Sequence, residues 1–405
     1  MSDCRFVTRV RLKNYKSIAG CDVELRPLTF LVGANGSGKS NFLDALRFVA
    51  DALRTSLDHA LRDRGGINEV RRRSSGHPTH FGIRLDFQLS SGAAGHYAFR
   101  IGARPRGAFE VQTEECVLDG PTPLARTAFE VQAGKVQTNL KTAVPAASRD
   151  RLYLVNVSGL PEFRPVYEAF SRMGFYNLNP VRIRDLQSPD SGELLSRDGS
   201  NLASVLDKLG KRRPESKKHI EEYLAAVVPG VRGVDAKAIG PKETLEFRQE
   251  VGTSADPWRF LAANMSDGTL RVLGILVALF QSSDGTAPSV PLVGIEEPEV
   301  ALHPAAAGVL LDSLIDASAH TQVLVTSHSP DLLDKENLDT SSILAVVADK
   351  GATLVAPMDE AGRSALRDGL YTAGELLRMN QLAPDPEAVA QTSGRQLQLF
   401  DKGDD

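Results

Sequence analysis

Eight consecutive residues, Gly33-Ala34-Asn35-Gly36-Ser37-Gly38-Lys39-Ser40, fit the pattern G-x-x-x-x-G-K-[ST]. Glycines at these spacings let backbone N–H groups wrap around a phosphate, and a helix starting at the loop's end adds its positive dipole. Lys39 suits charge neutralisation on β- and γ-phosphates, and the Ser40 hydroxyl suits Mg²⁺ ligation. With Asn41 following, residues 33–41 are the candidate nucleotide-binding set, and the cofactors expected are ATP and Mg²⁺.

Three further blocks carry chemistry. Leu292-Val293-Gly294-Ile295 runs into Glu296-Glu297-Pro298-Glu299. A carboxylate ending a buried strand can hold the metal's shell, and the next can polarise an attacking water, so Glu296 is assigned to metal and Glu297 to catalysis. Glu299 reads as an exposed loop carboxylate. His328, in Thr326-Ser327-His328-Ser329-Pro330, ends another apolar run and suits contact with a γ-phosphate or the water. His303 lies in the turn Ala301-Leu302-His303-Pro304, where a role is no more indicated than its absence. Ser266-Asp267-Gly268-Thr269 opens an apolar helix, with Ser266 placed to cap it; caps and phosphate sites use the same free N–H groups.

The elements that must hold these residues follow from hydropathy patterning. Phe6–Leu12 alternates as a strand, Leu25–Val32 ends in the run LTFLV, and a helix over 40–57 presents Phe42, Leu46, Val49 and Leu53 on one face. Strand, loop and helix in this order indicate an α/β nucleotide-binding core. Strands over 80–89, 97–101, 109–118, 129–132 and 152–157, separated by Gly and Pro turns, indicate an antiparallel meander. Residues 161–229 read as mostly helical without heptads, which excludes a long coiled-coil arm. Strand Thr244–Gln249, helix 268–281, buried strand 290–295, helix 304–318, buried strand 322–326 and a final strand 342–347 restore α/β character. Residues beyond about Ala383 are polar and read as a frayed tail.

Lys+Arg total 47 against 51 Asp+Glu, a formal charge of −4, so bulk attraction to nucleic acid is excluded and any grip must be local. Hydrophobic residues at 42% and charged residues at 24% fit a globular chain of 405 residues with two or three domains. Cys4, Cys21 and Cys116 have no metal-type spacing and fit a reducing cytoplasm. The apolar stretch 272–280 is too short to span a bilayer, and no membrane partner is expected.

In combination, RLKNYKSI…LTFLVGANGSGKSNFLDALRF, NMSDGTLRVLGILVAL, LVGIEEPEVALHP and QVLVTSHSPDLLD resemble the ABC-type ATPase heads of the SMC/RecF/OLD group, in particular the compact AAA-family ATPases akin to the ATPase half of OLD nucleases. FYNLNPVRIRD…LLSRDGSNLASVLDKL is similar to that group's middle segment. The fold implied is α/β, a P-loop ABC-type ATPase head with an antiparallel β-meander and a helical insert. Its parts are an N-terminal lobe with Walker A (1–60), a β-rich part (61–160), a helical insert (161–243), a C-terminal lobe (244–382) and a flexible tail (383–405).

The resemblance implies ATP sandwiched between two heads paired head to tail. Ser266, Asp267, Gly268 and Thr269 would then serve as the signature acting in trans, with Asp267 where the group carries a first Gly. Glu296 replaces the usual Walker B Asp, Glu297 matches the catalytic Glu, and His328 matches the switch His. The Q-loop residue stays open between Gln88 and Gln187. No fused Toprim nuclease is expected, since Asp359, Glu360, Asp404 and Asp405 form no second acidic set.

The function implied is an ATP-hydrolysing switch, a homodimer or higher homo-oligomer. It would control DNA or a separately encoded effector, nuclease or toxin, in anti-phage defence or DNA repair. The alternatives are an ABC transporter ATPase subunit and a non-hydrolysing nucleotide-gated scaffold. Basic residues at 62–64, 71–73 and 208–218 are the candidate DNA contacts, although no aromatic is interleaved. Trp258 is expected in a core.

Overall fold

The computed structural model describes residues 4–74, 78–120, 126–252, 256–282, 290–334, 338–393 and 397–401. The chain forms two compact units. One comprises residues 5–173, 339–371 and 376–401. The other comprises residue 4, residues 174–334 with 338, and residues 372–375, within the described set.

In the first unit, β1 (Val7–Tyr15) and β2 (Ile18–Glu24) form an antiparallel hairpin, and β3 (Leu28–Val32) leads into the glycine-rich loop. The meander adds β4 (His80–Gln88), β5 (Ala94–Ala103), β6 (Phe109–Asp119), β7 (Arg126–Gln132) and β8 (Lys135–Thr138). Its strand order is β8-β7-β6-β5-β4-β1-β2, and the meander is therefore continuous with the hairpin. Helix α1 (Lys39–Arg54) buries Phe42, Leu46, Val49 and Leu53, the face expected from periodicity. Phe48 of α1 meets Tyr15, Phe81 and Phe99 of the sheet at ring-centroid distances of 5.5–6.2 Å. Two short helices follow, α2 (Leu57–Arg62) and α3 (Ile67–Val70).

Residues 152–157, expected as a strand, instead form α4 (Tyr153–Asn156). The cause is tertiary. The buried Glu114 carboxylate of β6 accepts the N–H groups of Tyr153 and Leu154, so a remote side chain supplies the helix cap. Helix α5 (Arg164–Ser171) then packs Phe170 against Phe6, Phe87 and Tyr97.

In the second unit, β9 (Gly174–Tyr176) interrupts the segment read as helical. Helices α6 (Pro180–Arg184), α7 (Leu202–Arg212) and α8 (Pro214–Val227) follow, and then an antiparallel sheet of β10 (Val231–Ile239), β11 (Lys242–Gln249) and β12 (Trp258–Leu261). Trp258 is 54% exposed, not in a core: β12 is an edge strand, and its indole stacks on Phe260 at that edge. Helix α9 (Asp267–Phe280), β13 (Leu292–Glu296), α10 (Ala307–Ala317) and β14 (Gln322–Ser327) complete the unit. β13 lies between β14 and β9, parallel to both.

The chain re-enters the first unit with β15 (Ile343–Asp349), parallel to β3. This is not the last strand: β16 (Ala352–Pro357) turns back against it and meets β2. The segment beyond Ala383, expected to fray, forms a helix at Pro386–Ser393. Further on, Leu399 and Phe400 are buried against Ala98, and Arg84 holds the Leu399 carbonyl at 3.1 Å. Two apolar side chains in a polar stretch are enough to seat it, a signal that average composition hides.

Candidate active site

The glycine-rich loop lies where β3 ends and α1 begins. A Cβ on Gly33 would fall 2.0 Å from the Val346 carbonyl oxygen of β15, so only glycine lets the chain leave the sheet there. Gly38 has φ of 101°, and a Cβ on it would meet Thr353 Oγ1 at 1.9 Å. Lys39 is buried, and its ammonium donates to the Gly33 and Ala34 carbonyls at 2.7 and 3.0 Å, folded along the loop. Ala34, Asn35, Gly36 and Ser40 are exposed.

A polar chain outside the motif supports the loop. Asn41 Nδ2 donates to Ser17 Oγ at 2.7 Å, Ser17 Oγ lies 2.7 Å from Thr353 Oγ1, and Thr353 Oγ1 donates to the Ser37 carbonyl at 2.9 Å. Ser17 is in the β1–β2 turn and Thr353 is the second residue of β16; strand pairing brings both to the end of the sheet at which β3 ends. Sequence reasoning missed both, since neither has a motif of its own.

In the second unit, Glu296 ends β13, paired across to Thr326 of β14. Glu297 then turns sharply, with φ of 44°. Its N–H donates to the Thr326 carbonyl at 3.0 Å, and its carboxylate oxygen lies 3.2 Å from His328 Nδ1. A carboxylate only accepts, so Nδ1 carries the proton in this contact and Nε2 is left to face other groups. Parallel strands ending side by side thus bring together two residues 31 positions apart in the chain.

Glu299 departs from expectation. It is 8% exposed in its side chain, not a solvated loop residue. One oxygen accepts from Ser327 Oγ at 2.7 Å and from the His328 N–H at 3.3 Å, and the other is buried with no hydrogen-bond partner among the described residues. His303 is exposed, and its carbonyl accepts from Ala306 N–H to start the turn into α10.

Glu296 pairs with Arg197 at 2.8 Å, and Arg271 of α9 donates to the carbonyls of Glu296 and Glu297 at 3.1 and 3.0 Å. Neither arginine stood out in sequence. Arg197 is delivered by a backbone pairing, Asn177 N–H to the Arg197 carbonyl at 3.0 Å, just beyond β9. Ser266 caps α9 by accepting from Thr269 N–H at 3.2 Å, while exposed Asp267 pairs with Arg184. A Cβ on Gly268 would lie 2.5 Å from the Ala301 carbonyl, so this glycine is needed for the helix start to touch the turn after Glu299.

The two open Q-loop candidates lie in different units. Gln187 is buried: its backbone pairs with Glu243 and its side-chain oxygen accepts from Ala203 N–H at 2.9 Å. Gln88 ends β4, which runs antiparallel to β1, so it sits at the strand ends opposite those that carry the loop.

Several members of the basic clusters pair with acidic neighbours. Arg64 is 2% exposed and clamped between Asp44 and Asp51, so it faces no partner. Arg62 pairs with Asp58, Arg73 with Glu69, Lys211 with Asp207 and Lys217 with Asp235.

The loop of the first unit has the chemistry that phosphates need. Ser37 Oγ is buried without a hydrogen-bond partner among the described residues, and the exposed Ser40 hydroxyl is a hard oxygen donor of the kind Mg²⁺ prefers. In the second unit the Glu296 carboxylate, paired with Arg197, is a donor of the same kind. Among the described residues, no helix is long and apolar enough to cross a membrane.

Comparison with known proteins places the chain in a family and a fold. A family described as "AAA domain, putative AbiEii toxin, Type IV TA system" matches residues 28–334. The OLD nuclease of Thermus scotoductus is 25% identical over 340 residues, covering 80% of this chain and 59% of that protein. The DNA double-strand break repair Rad50 ATPase of Halobacterium salinarum is 34% identical over 127 residues, 31% of this chain and 13% of that protein. The chain thus spans less than two thirds of either relative. Among solved structures, the Smc head domain with an extended coiled coil from Pyrococcus furiosus, bound to the C-terminal domain of ScpA, superposes with a TM-score of 0.56 at 13% identity. That match covers 90% of this chain and 99% of the other, and it shows the α/β fold of SMC head ATPases. With a family match over three quarters of its length, the chain belongs to the AAA-domain family described as putative AbiEii toxin, type IV toxin–antitoxin system, within the ABC-type ATPases of the SMC/RecF/OLD-like group.

Proposed function

We propose that this protein hydrolyses ATP with Mg²⁺ and uses the cycle as a switch. Residues 33–41 would bind the nucleotide, with Lys39 swinging from its loop carbonyls to the β/γ-phosphates. Ser40 and Glu296 would hold the metal, Glu297 would accept the proton of the attacking water, and His328 would contact the γ-phosphate or that water. The observation that carries this reading is the Glu297–His328 contact of 3.2 Å at adjacent strand ends, beside a capped helix start at Ser266.

The switch would operate as a head-to-tail homodimer or higher homo-oligomer, with Ser266, Asp267, Gly268 and Thr269 engaging the partner's nucleotide. Exposed Asp267 and the Gly268–Ala301 contact support that role, because they put the helix start and the neighbouring turn on one surface. The names of the relatives, a nuclease and a DNA double-strand break repair ATPase, support control of DNA or of a separately encoded effector, in defence or repair. Acidic neighbours at Arg62, Arg73 and Lys211 lower the local positive charge, which favours the effector over direct DNA contact. Free Cys4, Cys21 and Cys116 fit a reducing cytoplasm.

The test is phosphate release from ATP by purified protein with Mg²⁺, at concentrations high enough to pair heads, beside Lys39→Ala. Turnover in the native chain and its loss in the variant support the reading. Equal rates in the two, or none in either, contradict it.

A further inference from the structure

Arg271 occupies an unusual position for a charged side chain. It lies on the second turn of α9, is 8% exposed, and spends its fork on main-chain oxygens: Leu178 at 2.8 Å through one terminal nitrogen, Glu296 at 3.1 Å and Glu297 at 3.0 Å through the other. Burial lowers the pKa of its guanidinium, and the charges of Glu299, Glu297 and Glu296 oppose that shift. Glu299, whose second oxygen has no hydrogen-bond partner among the described residues, is the largest of these counter-charges.

The target of the fork is a constrained residue of the site. Glu297 adopts φ of 44°, a conformation that costs a non-glycine residue energy unless its surroundings fix it. Its N–H is fixed by Thr326, and its carbonyl is fixed by Arg271 and by Val300 N–H at 3.2 Å. Between those anchors the carboxylate is aimed at His328. The first turn of the same helix touches the following turn through Gly268 and Ala301. Thus α9 grips the segment 296–301 at two points, and a shift of the helix cannot leave the Glu297 backbone where it is.

We propose that Arg271 is a positioning residue that ties the conformation of Glu297 to the placement of α9, so that engagement of Ser266–Thr269 is felt at the water-activating carboxylate. This inference rests on the ATPase reading above. Lysine cannot reproduce it, since a single ammonium lacks the planar fork that spans Leu178 and the two glutamate carbonyls.

The test uses the full chain with Arg271→Lys, Glu297→Gln and the double variant. Amide exchange by mass spectrometry is followed over residues 292–301 and over α9, alongside kcat and ATP affinity. Arg271→Lys should speed exchange of the Glu297, Glu299 and Val300 amides by about tenfold or more while α9 stays protected. It should lower kcat by about tenfold or more with ATP affinity within about threefold, and add less than about twofold to the loss in Glu297→Gln. Unchanged exchange at 297–300 overturns the proposal whether or not the protein turns over. So does a loss in the double variant equal to the product of the single losses. A native chain that shows no turnover sinks the ATPase reading alone, and the exchange result then decides Arg271. Melting temperature separates these outcomes from misfolding, and Arg271→Gln, which keeps a planar donor, serves if the lysine variant does not fold.

Discussion

Thr353→Val offers a direct probe of the support beneath the phosphate loop. Valine matches threonine in shape, so the contact with Gly38 is preserved, but two hydrogen bonds are lost. One runs to the Ser37 carbonyl at 2.9 Å and the other joins Ser17 Oγ at 2.7 Å. Ser17 keeps Asn41 as a partner, whereas the Ser37 carbonyl loses the donor that fixes it. At 2% exposure for Thr353 the lost donor is not replaced by water, and leaving a buried acceptor unpaired costs about 1–3 kcal/mol. Nucleotide binding requires the loop in one shape, so this cost should appear as roughly 5- to 150-fold weaker ATP binding. Calorimetric titration in a Glu297→Gln background, where turnover does not interfere, reads the affinity. Thr353→Ser retains the hydroxyl and should bind within about threefold of the parent. If Thr353→Val binds ATP as tightly as Thr353→Ser, the hydroxyl does not organise the loop and the reasoning fails.

Other expectations concern stability. Burial pushes the Glu114 carboxyl from 4.5 up to about 7, so the folded chain holds this proton more tightly than the unfolded chain. Its contribution is full below the unfolded pKa and is lost as pH rises through the folded one, amounting to about 3 kcal/mol. Urea midpoints between pH 5 and 8 should decline with pH, and Glu114→Gln should flatten that component; parallel curves for the two proteins would contradict it. Asp44 is held well below the usual carboxylate range: burial works against its charge, and Arg64, Arg47 and Lys16 overcome it. Asp44→Ala leaves buried Arg64 with only Asp51, and urea denaturation should register about 3–5 kcal/mol of destabilisation. A loss under about 1 kcal/mol would show that Asp51 compensates.

Much of the candidate site was legible because its chemistry is local. The phosphate loop follows one strand and begins one helix, so residues 33–41 carry their own context. Glu297 and His328 each end an apolar run, and parallel pairing of β13 with β14 then makes them neighbours. What sequence left unread depends on the topology of distant strands. Thr353 reaches the loop because β16 lies beside β2, and Ser17 because the hairpin turns at that edge. Arg271 belongs to no motif, and Glu299 reads as an exposed loop residue because burial at a turn has no periodicity to reveal it. The helix at 153–156 was misread for a similar reason, its cap being a carboxylate about 40 residues upstream.

The central claim is that Glu297 activates water for ATP cleavage. The direct measurement is a single-turnover experiment with γ-labelled ATP and Mg²⁺ on native protein and on Glu297→Gln, with bound nucleotide and particle mass recorded at each time point. The account predicts that the native chain releases labelled phosphate, whereas Glu297→Gln retains intact ATP, cleaves at least about a hundredfold more slowly and accumulates as a paired species. Cleavage by Glu297→Gln at the native rate would contradict it.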